Sequence, residues 1–275
     1  FLATPIVKAP GSTFLYNSAG SYMLSAIVSK VTGETVLDYL TPRLFKPLGV
    51  SGIDWETDPA GNNTGGWGLR VHTEDMAKFG QLYLQDGMWE GERLLPEGWV
   101  AEASSIKIQQ EPHRPAEERA KSDWHQGYCY QIWRCRHNAF RADGAFGQYI
   151  VVMPDKDAVL AITSQTTNMQ GVLDLVWEHL LPALHEETLP ANPTGTAALR
   201  EKLAGLVIAA PKGSRDQERE EQLSGKDFAL EANARMIERI GFAFDETGCK
   251  VRFEDDRGVY TIPMGAGDWV FSETD

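Results

Sequence analysis

Helical spacing on both sides of a block of alternating residues predicts an α/β chain of the α+β type, an antiparallel sheet flanked by helices, with a small all-β domain after it. Three observations carry this reading. Residues 19–45 repeat apolar side chains every three or four positions, residues 127–163 alternate in strand-sized runs, and beyond Pro190-Ala191-Asn192-Pro193 the sequence turns to short strands between turns.

Pro10-Gly11-Ser12-Thr13 is turn chemistry, and the spacing of Tyr22, Met23, Ala26, Ile27 and Val31 predicts a helix from about Ala19 that Gly33 stops. Val36, Leu37, Leu40 and Leu44 predict a second helix running into Pro47-Leu48-Gly49. After a Gly- and Asn-rich loop over 59–68, Thr73 is read as the cap of a third helix, with Glu74 and Asp75 in its first turn and Met76, Phe79, Leu82, Tyr83 and Leu84 on its apolar face. Residues 109–122 are polar and read as a surface loop. Strands are expected over 127–136, 147–153 and 158–163, the last two joined by the turn Pro154-Asp155-Lys156-Asp157, which makes an antiparallel meander. Helix returns over 171–184 with Val172, Leu175, Val176 and Leu180 on one face. The expected division is a first domain over 1–188, a linker over 189–198 and a β-rich domain over 199–275. That second domain begins with one short helix, carries a solvated charge run over 212–222, and has strands near 228–231, 240–244, 250–253 and 259–262.

Composition excludes several function classes. Apolar residues make up 42% of the 275 and charged residues 24%, enough for a sizeable core and too apolar for a disordered chain. With 26 Lys and Arg against 39 Asp and Glu, the net charge of −13 repels phosphate backbones and anionic lipid, so nucleic acid is not an expected partner. No run approaches the roughly 18 apolar residues of a membrane span. Cys129, Cys135 and Cys249 make no disulfide framework, which favours a reducing, cytoplasmic setting over a periplasmic or secreted one. Phe1 in place of Met, and Gly267-Asp268-Trp269-Val270-Phe271 still reading as strand at the chain's end, lead to the expectation of a fragment cut at both ends.

Three segments carry chemistry together: residues 10–20 around Tyr16-Asn17-Ser18, Gly65-Gly66-Trp67-Gly68-Leu69 leading to Thr73-Glu74-Asp75-Met76-Ala77-Lys78-Phe79, and Ala142-Asp143-Gly144-Ala145-Phe146-Gly147-Gln148-Tyr149. Their order and spacing over about residues 1–185 resemble the serine hydrolases related to class C β-lactamases, D-alanyl-D-alanine peptidases, family VIII esterases and 6-aminohexanoate-oligomer hydrolases. The resemblance implies a β-lactamase/transpeptidase-like fold and acyl transfer through a Ser-x-x-Lys nucleophile, with no cofactor and a small acyl compound as substrate. It places Tyr16 and Ser18 in the proton-relay motif and gives the oxyanion contact to the Ala145 N–H. Asn17, Trp67, Asp143, Gly144 and Phe146 then border the substrate.

A phenol with an ordinary pKa near 10 serves as a base near neutrality only beside ammonium charge, so Tyr16 needs a lysine next to it. Its alternative reading is a core tyrosine anchoring the turn. Ser18 stands where the β-lactamases commonly have Asn; it keeps a hydroxyl but lacks the amide's donors, and it also reads as a helix cap. Ala142-Asp143-Gly144 replaces the family's Lys-Thr-Gly or His-Thr-Gly, so the cation that would meet a substrate carboxylate is missing. Gly144 alternatively is a turn residue entering a core strand. The sole literal Ser-x-x-Lys, Ser104-Ser105-Ile106-Lys107, would share a helix face at i and i+3 but lies in the wrong order for the family.

Other constellations are weaker. His125, Cys129, Cys135 and His137 match zinc ligands by type, but two cysteines six apart on one extended strand sit about 20 Å apart, and only a hairpin would join them. His72 reads as a loop histidine or a cleft residue; Trp67, Trp124 and Trp133 read as an acyl-pocket wall or as packing. No Walker loop, dinucleotide fingerprint or His-Glu-x-x-His helix occurs, so neither cofactor nor metal is expected. The function expected is a β-lactamase-related serine hydrolase acting on an ester, amide or small peptide, this chain alone being inactive for want of its nucleophile. The alternative is a non-catalytic, penicillin-binding-like module that binds or senses a ligand; carbohydrate binding through the eight tryptophans is a third.

Overall fold

The computed structural model describes residues 3–273; Phe1, used above to read the start of the chain, lies outside the described residues. Two compact units divide the chain, Phe1–Leu189 and Pro190–Asp275.

In the first unit, α1 (Ser18–Thr32) starts on Asn17, whose extended backbone and side-chain oxygen, accepting from the Gly20 N–H at 3.2 Å, make it the cap. The cap reading of Ser18 is thereby corrected, since Ser18 is already the first helical residue. Gly33 closes the helix in the left-handed region, as its position predicts. Next comes α2 (Val36–Leu40), which widens into a π-helical turn over Thr41–Phe45 where Pro42 has no N–H for the regular ladder. β1 (Asp54–Trp55) pairs antiparallel with β2 (Leu69–Arg70) and holds the Gly/Asn loop between them. The cap position of α3 (Thr73–Leu84) is His72 rather than Thr73; the Thr73 backbone is already helical and its hydroxyl lies 3.2 Å from that of Thr163. A hairpin of β3 (Met88–Trp89) and β4 (Glu92–Arg93), then α4 (Trp99–Ser104) and α5 (Ala116–Arg119), lead to the sheet.

That sheet runs β5 (Trp133–Arg134), β6 (Phe140–Gly144), β7 (Gln148–Met153) and β8 (Ala158–Ile162) in consecutive antiparallel order, the expected meander. Residues 127–136 are not the single strand that their alternation predicts. Gln131, at φ 58°, folds the segment back so that Tyr128 bridges Trp133. Period 2 sets the two faces. Tyr149, Val151 and Met153 meet α6 (Met169–Leu175) and the widened turn Val176–Leu180 through Leu173, Val176 and Trp177, while Phe140 and Val152 join Ile132 and Val100 on the side where Tyr83 and Leu84 of α3 pack. Leu175, expected on the inward face, is largely exposed, because the buried positions 173, 176 and 177 leave it on the opposite flank. Helices on both sides of an antiparallel sheet are the layering that the sequence predicts.

The second unit holds α7 (Pro193–Ala204), α8 (Gln217–Leu223), β9 (Lys226–Ala229) and a meander of β10 (Ile237–Asp245), β11 (Gly248–Asp255) and β12 (Gly258–Gly265). Two helices stand where one was expected. Asn192 caps α7 inside the segment read as linker, and Asp216 caps α8 inside the charge run read as loop. Residues 267–271 are irregular rather than strand, with no ladder partner among the described residues; the Trp269 indole donates to the Ile208 carbonyl at 2.5 Å.

Candidate active site

Tyr16 reaches its place through aromatic packing. Phe14, two residues earlier, meets Tyr128 and Trp133 at centroid distances of 5.0 and 5.5 Å, and Tyr16 stacks on Trp133 at 5.9 Å and 22°. Trp124 meets Trp133 edge-on at 4.9 Å. Trp124 and Trp133 therefore form one wall, with Tyr16 half exposed in front of it. Among the described residues Trp67 makes no ring pairing with that wall. It lies 52% exposed on the loop between β1 and β2, where its carbonyl accepts from the Thr64 hydroxyl and the Trp55 indole.

Behind the wall, Arg141 is fully buried, its guanidinium carbon 4.5 Å from the Trp124 ring centre. Its Nε donates to Asp143 at 2.9 Å and its Nη1 to the Asp123 carbonyl at 2.9 Å. Burial pushes the Asp143 carboxyl above the usual carboxylate range, and Arg141 opposes that. The Tyr16 phenol is raised by burial and then by the Asp143 carboxylate. The charged neighbour acting on Tyr16 is thus an anion, where a base would need a cation. Asp123, also fully buried, accepts from the Arg136 side chain, the Gln170 amide and the Trp177 indole. Burial raises its carboxyl, but these donors outweigh burial and leave it below the ordinary value.

Asp143 leads directly into the second half of the site. β6 ends at Gly144, opposite Gln148, and Ala145-Phe146-Gly147 turns the chain with Phe146 at φ 68°. Among the described residues the Ala145 N–H has no acceptor, so a backbone donor stands open one residue past the strand end. The loop after β1 approaches from the other side. A Cβ on Gly66 would lie 2.8 Å from the Ser18 carbonyl, so only glycine lets this loop seat on the first turn of α1. Buried Asn63 and Ser25 lock that seat, the Ser25 hydroxyl donating to the Asn63 carbonyl at 2.6 Å. The structure sets Tyr16 near Asp143, which leads along β6 into Gly144-Ala145-Phe146, and sets Ser18 against the Gly65-Gly66 loop. Asn17 is committed to its cap through its side-chain oxygen.

The Ser104–Lys107 match, already in the wrong order for the family, does not share a helix face either. Ser105 ends α4 in an extended conformation, the Ser104 hydroxyl donates to the Val100 carbonyl at 2.8 Å, and Lys107 pairs with Glu102 at 2.5 Å, so no shared helix face exists. The four residues of the zinc set are not brought together among the described residues. A hairpin does form, but Cys129 and Cys135 belong to different core clusters, and among the described residues no three ligating side chains converge. His72 caps α3, close to Gly52. Sequence reasoning missed Arg141, Asp123 and Ser164, whose hydroxyl donates into the turn after β6. A charged residue inside a strand reads as solvent-facing, so only the burial found here identifies Arg141.

A helix-flanked antiparallel meander, with a tyrosine-bearing segment and a glycine-bearing strand end at one edge, is the β-lactamase/transpeptidase-like fold. The chain belongs to the Beta-lactamase family, whose model matches residues 1–183. It is 27% identical over 166 residues to a 6-aminohexanoate-dimer hydrolase of Paenarthrobacter ureafaciens, a match covering 58% of this chain and 41% of that protein. A Bacillus anthracis structure provisionally described as a 6-aminohexanoate-dimer hydrolase superposes with a TM-score of 0.55 at 23% identity, covering 66% of this chain and 47% of that one. A β-lactamase from Mycobacterium bovis does so at 0.50 and 18%, covering 65% and 68%. These two structures bear on the fold. The chain spans less than half the length of the two 6-aminohexanoate-dimer hydrolase relatives.

Proposed function

We propose that this chain supplies the proton-relay and oxyanion portion of a β-lactamase-related serine hydrolase that cleaves an ester, amide or small peptide through an acyl-enzyme. The observation that carries the reading is that Tyr16 stands beside Asp143, two residues before the open Ala145 N–H at the end of β6. In the reaction a serine Oγ bonds to the acyl carbon while its proton passes to the Tyr16 oxygen, and the bond from the acyl carbon to the leaving group then breaks as that group takes the proton. The developing oxyanion takes the Ala145 N–H, and water then releases the acid by the reverse proton path. Tyr16 accepts a proton only as phenolate, and its raised pKa in this chain means that an ammonium, such as the lysine of a Ser-x-x-Lys, must join it. Within these residues no Ser-x-x-Lys is assembled, since Ser104 and Lys107 face apart, so the chain alone is read as inactive.

The test is hydrolysis of p-nitrophenyl esters and short amides by the full-length protein carrying this chain. Tyr16→Phe is expected to lower kcat by roughly 10²–10⁴-fold with little change in KM, the range for a lost general acid–base. An unchanged kcat would contradict the role. A second reading, a non-catalytic ligand-binding module, is favoured by Asp143 standing beside Tyr16 where a cation would help; ester turnover by the full-length protein would remove it.

A further inference from the structure

We propose that Ser164 is a positioning residue that fixes the aim of the Ala145 N–H through the turn after β6, a proposal that rests on the hydrolase reading above. Every carbonyl of that turn has a donor. Gly144 O accepts from the Gly147 N–H at 3.3 Å, Ala145 O from the Gln148 side-chain amide at 3.2 Å, Phe146 O from the Thr166 N–H at 2.9 Å, and Gly147 O from the Ser164 hydroxyl at 2.7 Å. Ser164 also clamps the Gln148 side chain, donating its N–H to Oε1 at 3.2 Å and accepting from Nε2 on its carbonyl at 2.7 Å. The Ser164 hydroxyl also lies 3.1 Å from Phe146 O, so one residue bears on three of the four carbonyls, two through its hydroxyl and Ala145 O through Gln148.

The clamp has a job to do, because Phe146 sits at φ 68°, a conformation that a bulky residue keeps only when its surroundings hold it. Release would let Phe146 return to negative φ by rotating the neighbouring peptide planes, and the Ala145 N–H would swing with them. Gly147 fits the same scheme. Its φ is 95°, and a Cβ there would overlap the Ser164 hydroxyl, so glycine both permits the turn and leaves room for the clamp. The Gly-Gln pair of the third motif is thus the receptor for a serine that lies 16 residues beyond Gln148, past β8. An oxyanion donor works only where it is held in advance at the position the charge will occupy, so loosening it acts on the transition state more than on substrate binding.

The experiment compares wild type, Ser164→Ala and Gln148→Glu in the full-length protein, reading kcat and KM on a p-nitrophenyl ester, inhibition by phenylboronic acid as a tetrahedral mimic, and thermal unfolding. Gln148→Glu replaces the donor to Ala145 O by an acceptor and serves as the second variant. Both are expected to lose about tenfold in kcat and in boronate affinity, a part of the roughly 10²–10³-fold cost of deleting such a donor, with KM within about twofold and melting temperature little moved. Wild-type kcat in both variants would overturn the proposal and leave the hydrolase reading standing. A rise in KM with unchanged kcat and boronate affinity would also overturn it. A wild type that hydrolyses no ester or amide would overturn the hydrolase reading and this proposal together, and is recognised before any variant is made.

Discussion

Tyr16 faces a ring and a carboxylate, which is a poor setting for a phenolate. Burial and Asp143 both favour the protonated phenol, which raises the Tyr16 pKa from its ordinary value. Asp143→Asn removes the second cause and frees Arg141 from its partner, so the Tyr16 pKa is expected to fall. A titration followed by the ring-carbon NMR shift of Tyr16 measures it, and an unchanged or higher value in the variant would contradict the assignment of Asp143 as its charged neighbour. At this scale the sequence was legible where short motifs fix local structure: residue type and spacing mark Tyr16 at the segment before α1 and Gly144 and Ala145 at the end of β6. Arg141, Asp123 and Ser164 were illegible because their roles come from burial and partners far away in sequence, such as the 47 positions between Asp123 and Gln170. The cap passed from Ser18 to Asn17 because a one-residue shift is within the reach of either side chain.

Among the elements, α3 sits on the sheet at Gly80, where a Cβ would lie 2.5 Å from a Val159 methyl and 2.8 Å from an Ile150 methyl. Alanine is the better helix former by about 1 kcal/mol, yet overpacking costs roughly 1–3 kcal/mol. Gly80→Ala is therefore expected to destabilise the first unit by about 1 kcal/mol in urea unfolding, and adding Val159→Ala is expected to recover part of it. A stabilised Gly80→Ala would show that α3 stands further from the sheet than described. The helices and the β6–β8 meander were legible from periodicity, since their buried faces follow it. The β5 segment was not, because the left-handed turn at Gln131 involves no Gly, Asn or Asp to announce it. Residues 212–222 were also misread, as α8 is a helix of charged residues and has no buried face to impose a period.

Over the first unit as a whole, burial raises four phenols, those of Tyr16, Tyr83, Tyr128 and Tyr149, the last pushed up to about 12. The unfolded chain loses these protons near pH 10 while the fold retains them, so unfolding releases protons there and stability falls as pH rises from 10 towards 12. Urea midpoints between pH 9 and 11.5 check this, and a flat profile would contradict the burial of these rings. The fold class and the family were legible because three weak motifs fall in order along one chain. The chemistry divides differently under the proposed reading, with Tyr16 and Ala145 in the chain and no Ser-x-x-Lys assembled among the described residues. The most direct measurement of that division is labelling by a fluorophosphonate probe with mass-spectrometric mapping, on this chain and on any longer protein that carries it. The account predicts a labelled serine in such a longer protein outside these 275 residues, and none in this chain; a label on any serine within the chain, Ser104 included, would contradict it.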